Sequence, residues 1–177
     1  MTDTYPAFDM GPVPLPALDA EPAELFRGIY GMPMFVNAPT RDMAASVEFW
    51  THGLGFFELF AAPGRVTHLR RWAFQDILLV PAETRTEIPT GVPAGPPAVT
   101  VTFSCVLSQV DQIAAACEEL VPGSTTGPRQ TPWNTIDVEV VTPENLRVIM
   151  TAARPYDPAS AEAQTLRDEL GIERPSA

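Results

Sequence analysis

The 177-residue sequence predicts an α+β fold built from two tandem β-α-β-β-β modules. Three observations carry this reading. The order strand, helix, strands occurs twice along the chain, and a Pro/Gly-rich bridge, EIPTGVPAGPP, stands between the two occurrences. The composition, 45% apolar, is enough to build the core of one domain of ordinary size. The expected organisation is an N-terminal Pro-rich arm (1–28), a first module (29–82), the bridge (83–97), a second module (98–154) and a C-terminal tail (155–177) with a short helix.

In the arm, Leu25 and Phe26 are the strong apolar anchors in a run of Pro, Ala and acids. "MPMFVN" then alternates as a strand does, and "TRDMAASVEFW" places Met43, Val47 and Trp50 at helical spacing, with Thr40 or Asp42 available as cap. Gly53 and Gly55 stop this helix, and His52 at its end is expected to complement the last carbonyls. Three strands are expected at 56–61, 65–73 and 76–82, with "APG" and "FQD" as the turns. After the bridge, "AVTVTFSCV" reads as a strand. "LSQVDQIAAACEEL" reads as an amphipathic helix with Val110, Ile113, Ala114 and Cys117 on one stripe, ended by Pro122-Gly123. Two or three strands follow, "WNTIDVEVV" and "LRVIMTA" being the clear ones, and the tail fits a helix over about 159–170 with Leu166 and Leu170 spaced to dock.

Charge narrows the function classes. The net charge of -11 comes from 22 acids against 11 bases, all of them arginine. With no lysine there is no Schiff base, Walker lysine or polybasic patch. The acidic balance argues against nucleic acid and anionic membranes as partners and favours a cationic small molecule. Cys105 and Cys117, the only cysteines, lie in apolar runs and are expected as buried reduced thiols. The first twenty residues lack the basic start and apolar run of a signal peptide, and no segment reaches the roughly 20 apolar residues of a membrane span. The expectation is a soluble cytoplasmic protein.

Asp42, Met43, Ser46, Phe49, Trp50 and Leu54-Gly55-Phe56 in the first module are joined in the second by Val110-Asp111, Pro132-Trp133 and Thr142-Pro143-Glu144-Asn145. With the tandem repeat, they make the chain over roughly residues 31–152 resemble the vicinal oxygen chelate superfamily of glyoxalases, extradiol dioxygenases and bleomycin-resistance proteins. The resemblance implies that the modules curl into a mixed-sheet cup with helices outside. In the metal-dependent members, His, Gln or Glu side chains from four strands meet on a divalent ion, which needs such donors. The matching positions here are Phe35 (or Met34), the aliphatic run Ile77–Val80, Thr100 to Thr102, and Ile149. A metal centre and any other cofactor are therefore not expected. An unorthodox arrangement of His68 with Asp137 or Glu139 is the alternative.

Strand alternation assigns the expected lining. It comprises Phe35 and Asn37; His68 and Trp72; Thr100 and Thr102; Trp133, Thr135, Asp137 and Glu139; and Arg147 and Ile149. Aromatic planes, hydroxyls and two carboxylates suit an aromatic or cationic ligand. This resembles the bleomycin-resistance branch and implies a metal-free binding protein, a homodimer by the same resemblance, that sequesters a natural product or antibiotic or binds a biosynthetic intermediate. The alternatives are a glyoxalase- or dioxygenase-like lyase, isomerase or dioxygenase with a non-standard site, using His68 and Asp137 as acid and base if cofactor-free, and an interaction module whose arm and tail dock on another protein.

Overall fold

The computed structural model describes residues 17–28, 31, 34–82 and 100–170. The chain leaves its first strand, β1 (Val36–Thr40), at Thr40, whose hydroxyl lies 2.6 Å from the buried Ser46 hydroxyl. Asp42 then opens α1 (Met43–Glu48), its carboxylate accepting from the Ala45 N–H at 3.1 Å, which satisfies one of the free donors of the first turn. The helix widens into a π-turn, Phe49–Gly53, that carries Phe49 and Trp50 into the core. Leu54 N–H closes on the Phe49 carbonyl, while the exposed His52 side chain makes no hydrogen bond among the described residues, so backbone geometry does the capping expected of His52.

β2 (Phe57–Ala62), β3 (Val66–Arg70) and β4 (Asp76–Pro81) complete the first sheet, ordered β1-β4-β3-β2 with β1 parallel to β4 and the other pairs antiparallel. The second module repeats the scheme. β5 (Thr100–Cys105) leads through a short 3-10 turn, Leu107–Gln109, into α2 (Val110–Leu120), followed by β6 (Thr125–Gln130), β7 (Thr135–Val141) and β8 (Arg147–Ala153). Its order is β5-β8-β7-β6, again with one parallel pair. Thus the second module has all three strands after its helix, and the α+β architecture is two four-stranded mixed sheets rather than one continuous ladder. The tail contributes α3 (Ala161–Leu170); the side chains of Leu166 and Leu170, and the bridge at 83–97, lie outside the described residues.

One apolar core unites the modules. Phe49, Trp50, Phe56, Leu69, Ile77 and Leu79 from the first pack in the same cluster as Phe103, Ile113, Cys117, Val138, Val148 and Met150 from the second. Trp50, Phe56 and Phe103 meet edge to face, with ring centroids 5.0–6.3 Å apart, the arrangement aromatic quadrupoles favour. Gly53 sits against α2 so closely that a Cβ there would lie 3.0 Å from the Cys117 sulfur, so a larger residue would push the two helical segments apart. Arg71 is the polar counterpart of this seam. Fully buried, it donates to the Leu54 carbonyl of the first module and to the Ser104 carbonyl and Gln109 side chain of the second. Burial pulls its guanidinium down to about 10. Among the described residues, no helix is long and apolar enough to cross a membrane.

Candidate functional site

Each sheet turns one face toward the shared core; among the described residues the other face is open on the second sheet and partly covered by the arm on the first, and the two faces differ in chemistry. On the first sheet, β1 buries Ala38 and Thr40 and presents Asn37, while Ile77 and Leu79 of β4 face inward and leave Leu78 and Val80 outward. Strand register lines up Asn37, Leu78, His68 and Phe60 across four strands. Phe35 stands edge-on to His68 at 5.3 Å between centroids. Phe35 is 38% exposed and Phe60 58%, a high value for large apolar rings on a sheet.

A second row on this face, Phe57, Arg70 and Asp76, is covered by the N-terminal arm. The Arg70 guanidinium donates to the Phe26 and Gly28 carbonyls at 3.1 and 2.6 Å and lies over the Phe26 ring, while Arg27 lies over Phe57. Beneath the arm, one oxygen of Asp76 takes both Arg70 Nε at 2.7 Å and His68 Nε2 at 2.6 Å. The described part of the arm therefore docks on its own sheet.

The second open face is built of hydroxyls and ion pairs. Its rows are Thr102, Ile149, Glu139 and Thr126, then Ser104, Thr151, Asp137 and Arg129, with Thr100 paired to Arg147 at the end. Arg147 grips Glu139 with two nitrogens at 2.6 Å, and Arg129 lies 3.8 Å from the same carboxylate. The Arg147 hydrogen bond holds the Glu139 carboxyl below its ordinary range. Asp137 accepts from Thr135 and Thr151 hydroxyls at 2.8 and 2.7 Å. Both carboxylates are thus already partnered, one by an arginine and one by hydroxyls.

Two of the expected lining residues stand elsewhere. β3 ends at Arg70, not at 73, so alternation no longer carries Trp72, which is buried with the Arg71 guanidinium 4.4 Å from its ring centroid. Trp133 precedes β7 in a turn whose next residue, Asn134, has φ 61, and its ring is 59% exposed. Nor is His68 hydrogen-bonded to Asp137: its carboxylate partner is Asp76, in the neighbouring strand. Phe35, Asn37, His68, Thr100, Thr102, Thr135, Asp137, Glu139, Arg147 and Ile149 do lie on or at the edge of the open faces. Sequence reasoning missed Phe60, because a bulge between Glu58 and Phe60 changes which side chains face out. The signal for Asp76 was present as His68 and Arg70, two apart on one strand and opposite an acid across a short turn.

The side chains at the positions that the resemblance matches to the ligands of metal-dependent members are Phe35 or Met34, the run Ile77–Val80, Thr100 to Thr102, and Ile149. These do not fit a divalent ion. No cluster of three or more His, Cys, Asp or Glu suited to a metal occurs among the described residues. Away from the open faces, a cavity of about 580 Å³ opens between the β1–α1 turn, the end of β4 and the β7–β8 turn, lined among others by Arg41, Ser46 and Glu144. Glu144 accepts from Trp50 Nε1 at 3.1 Å through one oxygen, while its other oxygen is buried without a partner among the described residues.

Two β-α-β-β-β modules on a shared core, each with an open sheet face, define a paired-module α+β protein. The family described as the Glyoxalase/Bleomycin resistance protein/Dioxygenase superfamily matches residues 34–149, and the chain belongs to it. Among solved structures, a hypothetical protein from S. aureus aligns at 14% identity and TM-score 0.54, covering 72% of this chain and 97% of that one. TnmS3, an antibiotic binding protein from Streptomyces sp. CB03234, aligns at 18% and 0.51, covering 70% and 97%. A glyoxalase/bleomycin resistance protein/dioxygenase from Nocardioides aligns at 22% and 0.50, covering 75% and 90%. At these identities the likeness is one of fold. Comparison with curated proteins gives no match.

Proposed function

We propose that the protein binds a small, flat, aromatic molecule on its open sheet faces without a resident metal, sequestering a natural product or holding a biosynthetic intermediate. The observation that carries this reading is the exposed aromatic row: Phe35 and Phe60 flank His68 on a sheet face that a merely solvated strand pair would cover with polar side chains. Aromatic walls hold planar rings by stacking, worth about 0.5–1.5 kcal/mol per pair beyond area burial. A metal has no fitting donors at the family positions, so the reading relies on apolar contact and hydrogen bonding. That TnmS3, described as an antibiotic binding protein, has the same fold supports the fold's suitability for such a role.

The hydroxyl-rich second face supplies directionality through Thr100, Thr102 and the Glu139–Arg147 pair. As the family resemblance implies, we place the ligand in a homodimer, where the aromatic face of one copy meets the polar face of the next. The test is calorimetric titration of the full chain with a planar acridine-type cation and its neutral analogue, together with light scattering. Binding of either ring, weakened about three- to tenfold by Phe60→Ser, is the expected result. Absence of binding by both at millimolar ligand would overturn the reading, and a monomer at micromolar protein would remove the dimer from it.

A further inference from the structure

We propose that His68, oriented by Asp76, is the proton acceptor of the first-sheet face. The face would then select planar aromatic molecules that carry an acidic hydroxyl, the class of phenols and enolised 1,3-dicarbonyls. The inference rests on the aromatic-binding reading and names the polar half of its recognition.

Asp76 anchors this corner of the sheet. Its side chain is completely buried, and its Oδ1 already accepts from Arg70 Nε at 2.7 Å. A carboxylate locked against a guanidinium is an acceptor, so the 2.6 Å contact to His68 requires Nε2 of the imidazole to be the donor. In the neutral imidazole this places the proton on Nε2 and the lone pair on Nδ1. Nδ1 has no hydrogen-bond partner among the described residues, and the side chain is 15% exposed. The unused nitrogen is the one left for a molecule lying on the face.

The surroundings specify that molecule. Phe35 stands at 87° to the imidazole with centroids 5.3 Å apart, and Phe60 is the cross-strand neighbour of His68. Leu78 follows on the next strand and Asn37 on the one beyond. A ring resting on Phe35 and Phe60 brings a substituent to Nδ1, which can accept a proton and, in this tautomer, cannot donate one. A hydroxyl hydrogen therefore fits there, whereas a carbonyl or ether oxygen would face a lone pair. When the hydroxyl is acidic enough, its proton moves from oxygen to Nδ1 and the O–H electron pair stays on the oxygen. The products are a phenolate and an imidazolium, with one imidazolium N–H held by Asp76 and the other by the phenolate. No electron is exchanged and no co-reactant is needed. Arg70, pinned by the arm carbonyls of Phe26 and Gly28, keeps Asp76 in place and acts as a positioning residue.

The experiment titrates full-length protein into 4-nitrophenol, whose phenolate absorbs in the visible, at a pH near the pKa of the free probe, where a neutral imidazole is available to accept the proton. Nitrobenzene, the same ring without the hydroxyl, is titrated in parallel by calorimetry. The expected result is growth of the phenolate band with wild-type protein. In His68→Gln, whose amide can still donate to Asp76, the band is lost while nitrobenzene affinity changes by less than about twofold. Wild-type protein that binds nitrophenol but leaves it neutral overturns the assignment, as does a His68→Gln protein that keeps the band. If nitrobenzene binds and no phenolate forms, only His68 falls; if neither probe binds, the aromatic-face reading falls with it. The wild-type spectrum carries the test on its own should the variant fail to fold.

Discussion

Trp50 is where the joint stability of the two modules is most directly exposed to measurement. Its indole is fully buried, edge-on to Phe56 of its own module and Phe103 of the other, and it donates to Glu144 in the β7–β8 turn. Trp50→Phe keeps a ring but removes the N–H. Glu144, whose other oxygen has no partner among the described residues, then loses the one that holds it there. Loss of a hydrogen bond to a charged group costs about 1.5–3 kcal/mol, and the smaller ring leaves a void costing about 1 kcal/mol more. For a chain of this size each kcal/mol moves the melting point by about 2–4 °C, so a fall of about 5–16 °C is expected. Glu144→Leu alone strands the indole N–H. The double variant is expected to be more stable than the sum of the two changes by about 1–2 kcal/mol, because both polar partners then leave together. Urea unfolding followed by far-ultraviolet circular dichroism and by tryptophan emission, to which Trp72 and Trp133 contribute in every variant, measures all four corners of the cycle. Additivity within about 0.5 kcal/mol, or two separate transitions, would refute the picture of Trp50 as a polar and apolar tie across one core.

Three further outcomes are expected. Burial pushes the thiols of Cys105 and Cys117 up to about 11 and about 12; an aromatic disulfide reagent at pH 8 should therefore leave both unreacted for hours in native protein and titrate both at once in denaturant. Because Arg147 holds the Glu139 carboxyl low, the stability from this pair is present above the unfolded carboxyl's pKa and lost as pH falls through the lower folded value. The melting-point gap between wild type and Arg147→Ala should thus be constant near neutrality and close below about pH 4. Removing residues 1–28 takes the Phe26 and Gly28 carbonyls from buried Arg70, at a cost of about 1–3 kcal/mol. It should also speed modification of His68 by diethyl pyrocarbonate; unchanged reactivity would contradict the arm's role as a cover.

The elements legible in the sequence were those whose own residues set them. Asp42 and the Val110, Ile113, Cys117 stripe announced two helices, and the period-two runs announced the strands. The core faces of β7 and β8 followed from Val138, Val140, Val148 and Met150, all fully buried. The failures came where backbone geometry broke the alternation. Phe74, at φ 65, turns the chain back toward β4, so β3 stops short and Trp72 goes inward. Asn134, at φ 61, lifts Trp133 out of β7. The bulge at Glu58–Phe60 resets β2 and brings Phe60 opposite His68. The pairing of His68 with Asp76 depends on a hairpin register that no periodicity within one strand encodes. That is why an acid in the other sheet was the expected partner.

Because the modules share their interior but not their open surfaces, change in this protein has two separate channels. Substitutions in the common interior touch both halves at once and are felt as loss of the whole molecule. If the open faces bind ligand as proposed, substitutions at Phe35 or Phe60 would change the contacts of one half and those at Thr102, Glu139 or Arg147 the contacts of the other, with the seam undisturbed. Two faces arranged this way could be altered one at a time while the common interior keeps both modules folded.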